Sequence, residues 1–168
     1  NTFADYLENI FEPLFDATRD PQAYLDIHLF LQQVIHLHHG FKVFFLYFCH
    51  RLSISPAKSV SGLRFDSVDD ESLAEIKIWR DPPSPDDWAE EDNLPYSYYI
   101  YHMWANLSAL NSFRRERGFN TFSLRPHAGE AGDLDHMVTA FLLTESVAHG
   151  IVMRRSPALQ HLFYLEQV

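Results

Sequence analysis

His127, Glu130 and His149 are the side chains of this sequence best suited to chemistry. His127 and Glu130 lie in RPHAGEAG, residues 125–132, and His149 begins the His-Gly pair that ends SVAHG. A turn needs the glycines of the first stretch; it does not need an imidazole or a carboxylic acid. A neutral His127 can bind a hard or borderline divalent ion such as zinc. Glu130 follows within one tight turn, close enough to share a ligand. A carboxyl group in a partly dry pocket gains a raised pKa and can donate a proton at neutral pH. His149 can take a proton from a water polarised by the cation, or hold the resulting hydroxide in line. Gly129 and Gly132 let backbone approach a substrate closely. Singly, each of these is an ordinary solvated group; what sets them apart is where the elements place them.

The elements are legible from apolar spacing. Thr2–Phe15 reads as an amphipathic helix with Phe3, Leu7, Ile10, Phe11, Leu14 and Phe15 on its apolar face. Asp20-Pro21 is a helix start signal, with Asp as cap and Pro in the first turn, and a short helix through Leu25 and Leu29 follows. Tyr96–Arg117 reads as a long helix with Ile100, Met103, Trp104, Leu107 and Leu110 on one face. Arg114, Arg115 and Arg117 then sit in its last turn, and Gly118 just beyond it. Asn120–Leu124 reads as a short strand. Gly132–Glu145 is a second amphipathic helix, with Asp133 as its cap and Leu134, Met137, Val138, Phe141 and Leu142 inward. Ser146–Ala148 is a brief strand. Ser156-Pro157 starts a last helix with Leu159, Leu162 and Phe163 inward.

Helix and strand thus alternate through the second half, which implies α/β architecture with parallel β/α units. In such architectures the active site lies at the C-terminal ends of the strands. His127 and Glu130 follow one strand and His149 another, so all three stand where chemistry would need them.

Composition narrows the alternatives. The chain has 168 residues, 46% hydrophobic and 21% charged, enough for one ordinary domain with a buried core. A net charge of −10 disfavours nucleic acid as a partner. The single cysteine, Cys49, excludes an internal disulfide and a paired-cysteine zinc module, and fits a reducing compartment. The longest apolar run, FKVFFLYFC, carries Lys42 and falls far short of the roughly 20 residues that span a bilayer. No secretory signal pattern opens the chain, and a first residue of Asn rather than Met marks it as processed, trimmed or a fragment.

Other polar groups carry weaker signals. His36, His38 and His39 have no carboxylate near them. The arginines at 114–117 suit a helix end better than a phosphate. Asp66, Asp69, Asp70 and Glu71 lack the spacing and glycine of a calcium loop. Residues 81–95, DPPSPDDWAEEDNLP, form an acidic, proline-rich loop.

The stretches ENIFEPLFDAT, FDSVDDES, EEDNLPYSYYIYHMWANLSALNSFRRERGFNTFSLRPHAGEAG, TAFLLTESVAHGI and SPALQHLFYLEQ closely resemble the AMP deaminase family of the adenosine deaminase-like metal-dependent hydrolases. HAGE followed by His-Gly is common to the superfamily; FDSVDDES and the Tyr-rich helix running into RERGFNTF look specific to the AMP enzymes. The resemblance implies part of a TIM-like (β/α)₈ barrel with one zinc ion at its C-terminal mouth. It also implies hydrolysis of AMP to IMP and ammonia in the cytoplasm by a tetramer with no membrane partner. By resemblance His127 is a zinc ligand, and Glu130 protonates the purine ring and touches the substrate beside Gly129. His149 then takes the proton of the attacking water.

The family's His-x-His pair on the first strand and its Asp in a Ser-Thr-Asp-Asp-Pro stretch have no counterpart here. Residues 1–168 are therefore expected to be an internal piece of one barrel domain, inactive alone. Residues 35–61, rich in aromatics and His and without a clear period, look foreign to that family, as a translated intron or a gene-prediction error would. A second reading is a catalytically dead homologue acting as an interaction or regulatory subunit. A third keeps the chemistry but takes adenosine or another purine.

Overall fold

The computed structural model describes residues 2–34, 36–37, 84–89 and 94–168. Helix α1 spans Phe3–Arg19 and α2 spans Leu25–Gln33. Strand β1, His36–Leu37, precedes the long helix α3, Tyr96–Glu116. Strands β2, Ser123–Leu124, and β3, His127–Ala128, lead into α4, Asp135–Leu143. Strand β4, Ala148–His149, a 3-10 turn over Ile151–Arg155, and α5, Pro157–Glu166, complete the order.

Helix α1 starts where its chemistry dictates. The Thr2 side chain accepts from the Asp5 N–H while the Asp5 carboxylate accepts from the Thr2 N–H, a reciprocal cap. The Phe3 and Ala4 N–H groups, which have no partner inside the helix, donate to the carbonyls of Trp88 and Pro85. The helix runs on past the expected end at Phe15. Buried Ala17 and Thr18 hold its last turn, and an interior Pro13 does not stop it. An interior proline costs roughly 3 kcal/mol, so the buried face Leu7–Ile10–Phe11–Leu14 outweighs it. At Asp20 the carboxylate accepts from Gln22 and Ala23, as a cap should, but the residues it caps form a turn and α2 begins only at Leu25.

Helix α3 ends on Gly118 at φ +74, where the Gly118 N–H reaches the Arg115 carbonyl and the Phe119 N–H the Arg114 carbonyl. That left-handed position favours glycine. Two expectations for α3 are corrected. Trp104 is exposed, while Ile100, Met103, Leu107 and Leu110 are buried as anticipated. Arg114 does not complement the helix dipole from the surface: it is fully buried beneath α1. Its Nε donates to the Asn120 carbonyl, Nη2 to Asn120 Oδ1 and Nη1 to Thr18 Oγ1, and its guanidinium lies 4.5 Å from the centre of the Phe122 ring. Asn120 in turn donates to the Leu31 and Val34 carbonyls at the end of α2. One buried cation therefore joins α1, α3, the end of α2 and the approach to β2, and its burial keeps it from a phosphate in solution.

The strands pair in parallel, β1 with β2 and β3 with β4, as the helix–strand alternation requires. They are shorter than expected. Asn120–Phe122 is spent on the Arg114 network and on Asn111, whose side chain brackets Phe122, so only Ser123–Leu124 pairs. Arg125 and Pro126 separate β2 from β3. Parallel pairing on the β4 side continues from the Ala148 N–H to the Pro126 carbonyl through the Gly150 N–H to the Ala128 carbonyl.

Helix α4 begins at Asp135, not Gly132; Asp133 contacts only the Leu134 N–H and does not cap the helix. It buries Met137, Thr139 and Ala140, and Val138 and Leu142 face out. Ser156 caps α5 with Pro157 at its start, Leu159 and Phe163 face in, and Leu162 is exposed. Among the described residues no helix is long and apolar enough to cross a membrane. Of the stretch 35–61 only β1 is described. The His38 and His39 cluster, Cys49, the acidic residues at 66–71 and most of the acidic loop lie outside the described residues.

Candidate metal centre

His127 and Ala128 form β3, with the histidine exposed and the alanine buried. In register His127 lies opposite Ala148 and Ala128 opposite His149. Directly paired residues share a face of the sheet. A regular strand would therefore point His149 with Ala128, away from His127. His149 has φ +82, a left-handed backbone that an L-residue rarely adopts. That break in the pleat carries its ring across to His127, with Nε2 of His149 2.8 Å from Nδ1 of His127. Gly150 follows with φ +68, so two successive left-handed residues turn the chain off the strand end.

Glu130 completes the group. Its Oε2 lies 3.5 Å from Nε2 of His149, and one ligand atom from each of His127, Glu130 and His149 fits within 4.8 Å of the others. All three residues are exposed, so the cluster opens outward at the strand ends. The three residues singled out from the sequence thus converge.

Gly129 behaves differently from a surface turn glycine. It is buried at φ +69, and a Cβ there would stand 2.4 Å from Met137 Sδ and 3.0 Å from Val152 Cγ2. Its carbonyl accepts from the Val152 N–H. The residue is glycine because α4 and the 3-10 turn close over it, which brings the His127–Glu130 turn down onto the core.

Two residues beside the group carried no sequence signal. Tyr96, the first residue of α3, donates its hydroxyl to the His127 carbonyl at 2.9 Å. His136 on α4 stacks on the Tyr96 ring, 4.4 Å between centres. Burial holds the Tyr96 phenol far above its usual pKa, so it remains a donor. Nothing in residue type or spacing separates Tyr96 from the other tyrosines of SYYIY; only the tertiary placement of the helix start does.

The frame and its donors together define a parallel β/α protein with a candidate metal centre of two imidazoles and a carboxylate at adjacent strand ends. The sequence profile of the AMP deaminase family matches residues 1–42 and 52–168. The AMP deaminase of Schizosaccharomyces pombe is 45% identical over 99% of the chain, that of Dictyostelium discoideum 43% over 99%, and AMP deaminase 3 of Homo sapiens 45% over 99%. The chain belongs to the AMP deaminase family. It spans 17% to 18% of the length of these three relatives. The family match leaves out residues 43–51 and takes in 35–42 and 52–61 on either side of them.

Proposed function

We propose that this chain supplies one part of the active site of a zinc-dependent AMP deaminase, which hydrolyses AMP to IMP and ammonia. The observation that carries the reading is the convergence of His127, Glu130 and His149 in a chain of this family. Two nitrogens on one tetrahedral zinc lie about 3.3 Å apart, given bonds of about 2.0–2.1 Å. The His127 and His149 nitrogens stand at 2.8 Å, so a small opening of the rings accommodates the ion. Two imidazoles and a carboxylate are a donor set zinc accepts. Geometry alone would allow all three as ligands. The resemblance to the family assigns His127 as ligand and leaves the other two to move protons.

Zinc, when bound, acts as a Lewis acid that lowers the pKa of a water toward neutrality. His149 takes a proton from the attacking water and holds the oxygen toward C6 of the purine. Glu130 gives its proton to the ring nitrogen, so that C6 accepts the oxygen, and the proton held by His149 passes to the amino group, which leaves as ammonia. Gly129 keeps the backbone low enough for the purine to approach Glu130. The surrounding frame is read as part of a TIM-like barrel, with the parallel pairs β1–β2 and β3–β4 as neighbouring barrel strands.

His127 is one ligand, and a catalytic zinc needs about three from protein. The 168-residue chain alone is therefore expected to release no ammonia from AMP. In the protein spanning the length of its relatives, E130Q and H149N are expected to lower kcat by about 10²–10⁴-fold, the usual worth of a general acid or base. Zinc-dependent turnover of AMP by the 168-residue chain would overturn the division of the site. Unchanged kcat in both variants would overturn the roles. Competition between AMP and adenosine on the longer protein would separate the two substrates. The further proposals that the protein is tetrameric and cytoplasmic rest on the family resemblance. The proposal that residues 35–61 are extraneous coding sequence rests on their composition; a spliced transcript that retains those codons would refute it.

A further inference from the structure

We infer that Tyr96 is a positioning residue for the candidate metal centre, holding the His127 backbone so that its imidazole meets His149. The inference rests on the reading of His127 as a metal ligand and extends it to a residue on a different element. Along a parallel strand successive carbonyls point to opposite edges. The carbonyls of Pro126 and Ala128 point to the β4 side, where they accept from Ala148 and Gly150. The carbonyl of His127 between them must point to the other edge, and there it accepts from the Tyr96 hydroxyl at 2.9 Å.

That bond matters because the exposed His127 ring meets His149 at 2.8 Å, a contact that depends on where β3 stands. The backbone that carries this ring belongs to a strand of two residues. Tyr96 is itself immobilised: its ring is buried and stacked on His136 of α4. A rigid phenol anchored between α3 and α4 thus does for one edge of β3 what a neighbouring strand would do. Outer groups that orient a metal ligand cost about 10–100-fold in metal affinity when removed.

The test is Tyr96→Phe in the 168-residue chain, which keeps the ring and the stack and removes the hydroxyl, with Tyr101→Phe as the control on an exposed tyrosine of the same helix. Two readouts are taken. Without metal, nuclear magnetic resonance follows contacts between the His127 and His149 rings and the amide exchange of residues 127–129. With zinc chloride, affinity is measured by competition with a chromophoric chelator on the same variants of the protein spanning the length of its relatives, which supplies the remaining ligands. Loss of the ring–ring contact, amide exchange roughly tenfold faster, and zinc binding roughly tenfold weaker in Y96F alone are expected. Ring contacts and exchange unchanged in Y96F, or moved equally by Y101F, would overturn the inference. A longer wild-type protein that binds no zinc would instead count against the metal reading, and the metal-free arm would still decide the role of Tyr96. Should Y96F fail to fold, the wild type decides: a Tyr96 hydroxyl proton protected from exchange supports the bond, and one exchanging at the solvent rate refutes it.

Discussion

The ring nitrogens Nε2 of His149 and Nδ1 of His127 are in hydrogen-bond contact at 2.8 Å, across two parallel strands whose register should have turned the rings apart. Two imidazole nitrogens this close need a proton between them, one ring donating and the other accepting. A metal ion held by His127 would displace that contact. Zinc titration of the protein spanning the length of its relatives is therefore expected to remove the His127–His149 hydrogen bond, seen as a change in the ring nitrogen shifts of both residues. His127→Ala should weaken zinc binding by more than the 10–100-fold that loss of an orienting partner costs. Equal affinity in the variant would exclude His127 as a ligand.

The left-handed backbone of His149 is a cost to the fold. A non-glycine residue in that conformation is disfavoured by about 1–2 kcal/mol, and glycine carries no such penalty. His149→Gly is expected to stabilise the chain by about 1 kcal/mol, a rise in melting temperature of about 2–4 °C for a domain of this size, while it removes the imidazole from the centre. Strain kept at a site and released by substitution is the signature of a functional constraint. A lowered melting temperature would show instead that the His149 ring contributes more to packing than its backbone loses.

Gly129 makes the opposite prediction. Its φ of +69 and the 2.4 Å that would separate an added Cβ from Met137 Sδ leave alanine no room. Gly129→Ala is expected to destabilise the chain by about 2 kcal/mol or more, from backbone strain and overpacking together. Urea unfolding measures it. Pairing the change with Met137→Ala removes the nearest clash, so the double variant should lose less than the sum of the two single losses; additive losses would assign the cost to the backbone and Val152.

How much of this was legible in the sequence follows from what each feature depends on. Apolar spacing and capping residues are local, so Ser156 with Pro157, and Gly118, marked helix ends correctly. The order of elements gave parallel pairing, and with it the strand ends at which His127, Glu130 and His149 meet. Strand lengths were overestimated because Asn120 and Phe122, β-like in their run, are recruited by Arg114 and Asn111. Trp104, Val138, Leu142 and Leu162 sit at helical spacing yet face out, since spacing defines a stripe and only the neighbouring elements define which edge of it is covered. Tyr96 was invisible for the same reason: its partner is a backbone carbonyl 31 residues away.

Arg114 tests whether a buried cation can be a structural hub. Its three donors to Asn120 and Thr18 form a planar, forked set that an ammonium cannot reproduce. Arg114→Lys is expected to cost about 2–3 kcal/mol, since it leaves buried acceptors without partners. Asn120→Ala should cost a similar amount, and the double variant clearly less than the sum, because both changes break one network. Additive losses in urea unfolding would mean that the two residues act separately and that α2 is held to β2 by other contacts.

His102 provides the pH dependence. Its ring is packed among Phe3, Tyr98 and Tyr101, with centres 5.7, 4.5 and 5.3 Å away. Burial disfavours the imidazolium and holds its pKa below the ordinary 6.5. The unfolded chain then binds a proton at a higher pH than the folded one does. Above about 6.5 both states are neutral and nothing is lost. As pH falls below 6.5 toward the folded value, the unfolded state gains protons first and stability drops. The difference in urea midpoint between wild type and His102→Phe should therefore be constant above pH 7 and shift against the wild type from pH 6.5 downward. A difference that stays flat through that window, or shifts in favour of the wild type, would mean that the imidazolium is accommodated between α1 and α3 by a partner that offsets its burial.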